Sequence, residues 1–142
     1  MRKYRFAGAV MAVAASLPAG AWAHHSTTAY DLTRTMTLTG TVKRFEWTNP
    51  HSWIDVEVPD GKGGGTVWAI EFGAPNLNAR EGWHRDDVKV GDKVTMVIYP
   101  VRTGTAHGTL GKITLPDGRT LSGAADFLAP NKPAAPPAAT NK

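Results

Sequence analysis

The residues best suited to chemistry in this chain are its five histidines, one aromatic corner and one glutamate in an otherwise uncharged strand. His24 and His25 are adjacent, directly after Ala21-Trp22-Ala23. If the chain is cut after Ala23, His24 becomes an amino terminus, and its amine and ring nitrogens can chelate one ion together. A third imidazole, His51 first and then His84 or His107, would complete a T-shaped nitrogen set that suits copper(II) better than zinc. His24, His25 and His51 are therefore the candidate metal ligands, and copper the candidate cofactor. Without that cut, His24-His25 is only a polar junction.

The second constellation is the corner EWTNPHSW, residues 46–53. Proline removes a backbone donor and restricts the residue before it, so a strand cannot run through Asn49-Pro50. Trp47, Asn49, His51 and Trp53 crowd around that break, a natural seat for a planar or small polar ligand. Glu71, in TVWAIEF, Arg80 and Trp83 follow close enough in the chain to join it. The same residues also serve geometry alone. Asn49 can bond the turn, His51 can donate to a carbonyl, most of the tryptophans can fill a core, and Glu71 can pair with Arg80 or Arg44.

No nucleophile elbow, phosphate loop, zinc-protease helix or dinucleotide fingerprint occurs, and Gly63-Gly64-Gly65 lacks the Lys-Ser/Thr and helix of a phosphate cradle. No residue is assigned a catalytic role. The reading is a binding or accessory protein whose partner is a small molecule or another exported protein. A copper-dependent oxidase using His24 is the rival class, and a purely structural interaction domain the third.

These residues need elements to position them. Met36–Phe45 alternates as strand one, yet neither of its faces is wholly apolar, which describes a curved strand that changes sides. Gly40 sits where a small barrel wants a bend. His51–Val58 is strand two, and the glycine-rich turn 59–65 leads into strand three, Thr66–Phe72. Leu77–Gly82 reads as one or two helical turns, capped by Asn76 and stopped by Gly82. Val90-Gly91-Asp92 turns into strand four, Gly104–Gly108 is a loop, and Thr109–Leu115 is strand five. Pro116-Asp117-Gly118 then turns into a short return, Arg119–Leu121. A short helix between strands three and four of five predicts an all-β OB-fold-like barrel. His24–Thr35 is expected to lie along this barrel and to contribute little to its core.

The ends are of another kind. Arg2, Lys3 and Arg5, an apolar run to Leu17 and the small-x-small site at residues 21–23 read as a signal peptide, residues 1–23, and predict the periplasm. That run falls short of the roughly 20 residues a membrane span needs, so no span is expected after cleavage. Residues 24–128 form the barrel domain, and the Pro/Ala-rich residues 129–142 read as a disordered tail. The formal charge of +4 includes the three signal cations. Sixteen basic residues less those three, against 12 acidic, leave +1 on the mature chain, too little to predict nucleic-acid binding. With no cysteine, disulfides and thiolate metal sites are excluded.

The set HHS, LTGTV, EWTNPHSWI, VWAIEFGAPN, REGW, GDKVT and LPDG resembles an uncharacterised family of exported bacterial proteins, domain-of-unknown-function family 6152. The resemblance spans about His24 to Leu121 and implies a small exported OB-like barrel, with no activity attached. His84 stands where the family pattern suggests Thr or Ser, and His107 falls in a variable loop. The resemblance therefore favours neither as part of a shared site.

Overall fold

The computed structural model describes residues 27–128. Six strands follow a short 3-10 turn: β1 (Met36–Glu46), β2 (Ser52–Pro59), β3 (Gly65–Phe72), β4 (Lys93–Pro100), β5 (His107–Thr114) and β6 (Thr120–Ser122). Helix α1 (Pro75–Arg80) lies between β3 and β4, and α2 (Ala125–Leu128) follows β6. β1 pairs with both β2 and β4, β4 with β5, and β5 with β3 in parallel, so the first five strands close into a ring. This is the five-stranded OB-like barrel expected from the sequence, with the short helix between strands three and four. Closure leaves no long unpaired edge among these strands. β6 is the expected hairpin return on β5.

The alternation of each strand decides what enters the barrel. Leu38 and Val42 of β1, Ile54 and Val56 of β2, Ile70 and Phe72 of β3, Met96 and Ile98 of β4, and Leu110 and Ile113 of β5 are all buried together. Each such side chain stabilises the fold by about 1.5–3 kcal/mol relative to exposure. β1 changes sides as anticipated. A bulge between Val42 and Arg44 shifts its register on β2, which turns Phe45 onto the core while Arg44 faces out. A bulge adds one residue to one strand and so reverses the inward set beyond it.

The outer face of β1–β2 is charged and internally paired. Arg44 bonds Asp55 at 2.7 Å and Glu46 at 2.6 Å, and Lys43 meets Glu57 at 2.7 Å. These exposed pairs contribute little stability. They do take up Arg44, one of the two partners the sequence offers for Glu71.

Helix α1 starts two residues earlier than expected. Ala74 is its N-cap, without a side-chain cap, and Pro75 stands in the first turn, where its missing N–H costs nothing. Asn76 therefore lies inside the helix and does not cap it. Asn78 is the polar anchor, buried, its amide donating to the Gly73 carbonyl at 2.5 Å and to Ser52 Oγ at 3.3 Å. Gly82, at φ +88°, ends the helix as expected.

The chain on either side of the barrel covers its outer wall. Tyr30 bridges to Val101, Asp31 N–H donates to the Pro100 carbonyl at 2.8 Å, and Arg102 N–H to the Ala29 carbonyl at 3.0 Å. On the other flank, Gly123 N–H donates to the Gly111 carbonyl at 2.7 Å, leading into α2 with Ala125 and Asp126 buried. Tyr30 is buried as well, so the segment before β1 packs inward further than the sequence suggests. Among the described residues, no helix is long and apolar enough to cross a membrane.

Candidate functional site

On β3, Ile70 and Phe72 face the barrel interior, so Glu71 must face out. It does not reach water. Trp53 of β2 lies opposite it, Thr109 of β5 pairs with it on the other side, and the segment carrying Tyr30 closes over the top. Glu71 is 3% exposed. The buried carboxylate is satisfied from two directions. The Tyr30 hydroxyl donates to Oε2, and His51 Nδ1 stands 2.6 Å from Oε1. Burial, and then the Glu71 carboxylate, push the Tyr30 hydroxyl well above the usual tyrosine range. The phenol therefore remains a donor at any physiological pH.

His51 comes from the corner before β2, where the Asn49–Pro50 peptide is cis. The corner turns the imidazole towards β3 and leaves Asn49 exposed. A carboxylate at Nδ1 fixes the ring's orientation and favours its second nitrogen for contact with a ligand or metal. Beside this pair is an open cavity of about 200 Å³. Its polar end is Glu71, His51, Tyr30 and Thr109, and the rest is apolar, including Leu32, Phe72, Leu77 and Leu128. Among the described residues that line it, none is Lys or Arg.

Two further rings support the polar end. His107 packs at a tilt on Trp53, centroids 5.4 Å apart, and makes a T-shaped contact with Tyr30 at 5.9 Å. β5 begins at His107, two residues earlier than expected, which puts His107 and Thr109 on the face that carries Glu71. The loop reading of His107 is thereby corrected.

The other residues singled out in the sequence lie elsewhere. Trp83 is 1% exposed, a core side chain against Phe72, with Nε1 donating to the Ser122 carbonyl at 2.7 Å. Trp47 packs with Phe45 and Phe72 at the end of the core. Arg80 is exposed on α1, away from Glu71, so the pairing of Glu71 with Arg80 or Arg44 gives way to Tyr30 and His51. His84 is exposed, 3.7 Å from Asp87. His24 and His25, the signal segment and the tail lie outside the described residues. Among the described residues, no three His, Asp or Glu side chains are grouped to hold a metal.

Tyr30 is the site residue the sequence reading missed. Its only local signal is an aromatic residue, with Leu32 two positions on, in a polar stretch that otherwise offers a core nothing.

Fold and site together describe a small OB-like barrel with a hollow of about 200 Å³ on its outer wall. Residues 11–111 match the model of a family of unknown function, DUF6152, and the chain belongs to that family. A search of curated proteins found no match. Among solved structures the chain is similar to the mitochondrial single-stranded DNA-binding protein Rim1 of S. cerevisiae, at 16% identity and a TM-score of 0.46. That alignment covers 59% of this chain and 94% of that one. The barrel assignment here rests on the strand pairing of this chain itself.

Proposed function

We infer that this protein is an exported, periplasmic binding protein whose ligand sits in the cavity beside His51 and Glu71. The observation that carries this reading is a buried carboxylate, held by a histidine and a tyrosine, at the one polar end of an otherwise apolar hollow. A buried carboxylate is costly unless its partners are well placed. An apolar hollow with a few convergent polar groups is the usual form of a small-molecule site. Export follows from the N-terminal sequence pattern, and the ion-paired outer face of β1–β2 supports a partner other than nucleic acid. The test is a calorimetric titration of the mature protein with a panel of small periplasmic metabolites, beside His51→Ala. His51 is partly exposed at 32%, so the variant should fold normally and lose at least tenfold in affinity for any ligand found. Unchanged affinity would place the ligand elsewhere.

Copper is the second reading. The observation favouring it is the carboxylate anchored to His51 Nδ1, the outer-sphere arrangement typical of metal-binding histidines. His24 precedes Tyr30 by six residues, a stretch that can span at most about 20 Å, so a mature N-terminal histidine is within reach of His51. Copper affinity should fall sharply when one alanine is added before His24, because the amine–imidazole chelate is then lost. Equal affinity in the two forms, measured by calorimetry and paramagnetic resonance, would remove the copper reading.

A further inference from the structure

The segment before β1 divides two hollows. Tyr30 and Leu32 line the cavity beside Glu71, while Asp31 and Arg34 line a separate cleft of about 230 Å³ with Pro100, Val101, Arg102 and Gly104. Backbone bonds hold the two walls of this cleft side by side. Asp31 N–H donates to the Pro100 carbonyl, Arg102 N–H to the Ala29 carbonyl, and Tyr30 bridges to Val101. Arg34 N–H closes a turn onto the Asp31 carbonyl at 3.2 Å. Both arginines therefore project from backbone that is already fixed.

The charges of the cleft do not balance. Arg44 meets two carboxylates, Asp55 and Glu46, and Arg119 meets Asp117 and Asp87. Arg34 and Arg102 share Asp31, the one acid among the described residues that line the cleft, which leaves a net +1. Asp31 is also engaged elsewhere. Its Oδ1 accepts the Thr33 hydroxyl at 2.6 Å and the Thr33 N–H at 3.2 Å, while Arg102 Nη1 stands 3.9 Å away. Those bonds first, and then the charges of Arg102 and Arg34, hold the Asp31 carboxyl below the usual carboxylate range. Arg102 donates from Nε to the Thr28 carbonyl at 3.3 Å, and Arg34 Nη2 reaches only Met36 Sδ, at 3.7 Å. Both guanidinium groups thus keep donors for a further acceptor, and both side chains are exposed.

A single excess positive charge calls for a monoanion. A carboxylate presents two oxygens in one plane, which match the fork of a guanidinium. A phosphate dianion would set its second charge against Asp31. The cleft is smaller than the roughly 300–1,000 Å³ of drug-sized sites, so its ligand is small. Pro100 and Val101 offer the apolar wall against which a short aliphatic body can lie.

We propose that this cleft is a second binding site, which holds a small carboxylate between Arg34 and Arg102 with its carbons on Pro100 and Val101. The site is separate from the cavity beside Glu71 and does not depend on that reading. The experiment is nuclear magnetic resonance on the mature full chain, following backbone amide and arginine Nε–H signals. The probes are propionate, N-acetylalanine, propionamide and inorganic phosphate. Propionate or N-acetylalanine should shift Arg34, Arg102 and Gly104 saturably, and the tighter of the two tells a free acid from a peptide C terminus. Propionamide should leave these signals in place.

Arg34→Gln and Arg102→Gln should each weaken the binding by about fivefold, and Arg102→Lys, which keeps the charge but not the fork, should restore only part of it. Asp31→Asn keeps an acceptor for Thr33 and raises the cleft to +2, so it should tighten the binding. His51→Ala should leave it unchanged. Signals away from the cleft report that each variant is folded. No saturable shift at the cleft with either acid would overturn the proposal, as would propionamide acting like propionate or phosphate binding more tightly than both acids. Unchanged affinity in the arginine variants, no tightening in Asp31→Asn, or a loss in His51→Ala would overturn it equally.

Discussion

Trp83→Ala should lower the free energy of unfolding by about 3–5 kcal/mol, the cost of removing a large aromatic side chain from a packed core. The indole is 1% exposed and packs on Phe72 with ring centroids 4.9 Å apart. Its Nε1 also ties the connection after α1 to the end of β6 through the Ser122 carbonyl. Truncation would open a void and release that tie at once. Urea unfolding followed by far-ultraviolet circular dichroism measures the loss, with Trp53→Ala as the comparison. Trp53 is only half-buried, on the outer wall against His107, so its loss should be clearly smaller. Of the tryptophans that the sequence offers to a core, Trp83 is the fully buried one and Trp53 is not. Equal losses in the two variants would contradict this assignment.

Gly40→Ala should be nearly as damaging, at about 3 kcal/mol, the upper end of overpacking costs. A Cβ at this position would lie 2.2 Å from the Glu57 carbonyl oxygen and 3.0 Å from Val56 Cγ2. The closest obstacle is backbone, so no rotamer change relieves it. β1 and β2 would have to part at this point. Thr39→Ala, at the exposed neighbour, should stay within about 0.5 kcal/mol. Thermal unfolding of both variants decides the matter, and a Gly40→Ala cost below about 1 kcal/mol would show that the strands can yield there.

Gly40 also shows why so much of the barrel was legible. A strand half-buried against a core writes its burial into every second residue, and a glycine in that pattern marks a place where backbone passes backbone. The mixed faces of β1 announced its bulge for the same reason. The glycine-rich turn and Val90-Gly91-Asp92 left little choice of hairpin or strand start.

The site was half legible. His51 stood out because Asn49-Pro50 must break a strand, and Glu71 because a lone charge in a buried strand demands a partner. The identity of that partner is a long-range fact. Tyr30 reaches Glu71 only because residues 29–31 are bonded to the end of β4, and the segment itself has no period to reveal that path. The outer-wall position of His107 depends on where β5 begins to pair with β3, which is a matter of barrel closure. α2 is a single turn whose burial depends on Gly111 and Gly123 meeting. In each case the missing information was a pairing between residues far apart in the chain or close only once the barrel is shut.

The closure of the barrel also governs how such a chain can be assembled. Met36 pairs with Ile98, and Ala69 pairs with His107, so the ring is completed by contacts between residues far apart in sequence. The β1–β2, β2–β3, β4–β5 and β5–β6 pairs can form from neighbouring residues, but the β1–β4 and β3–β5 pairs that shut the ring cannot. High contact order of this kind places folding in the slow range for small domains, because long loops must be closed before any pairing rewards them. A chain emerging N-terminus first has no way to shut the barrel until β5 has appeared. Until then Ile54, Ile70 and their neighbours remain uncovered, so this domain is built for completion as a unit and offers no stable halfway form.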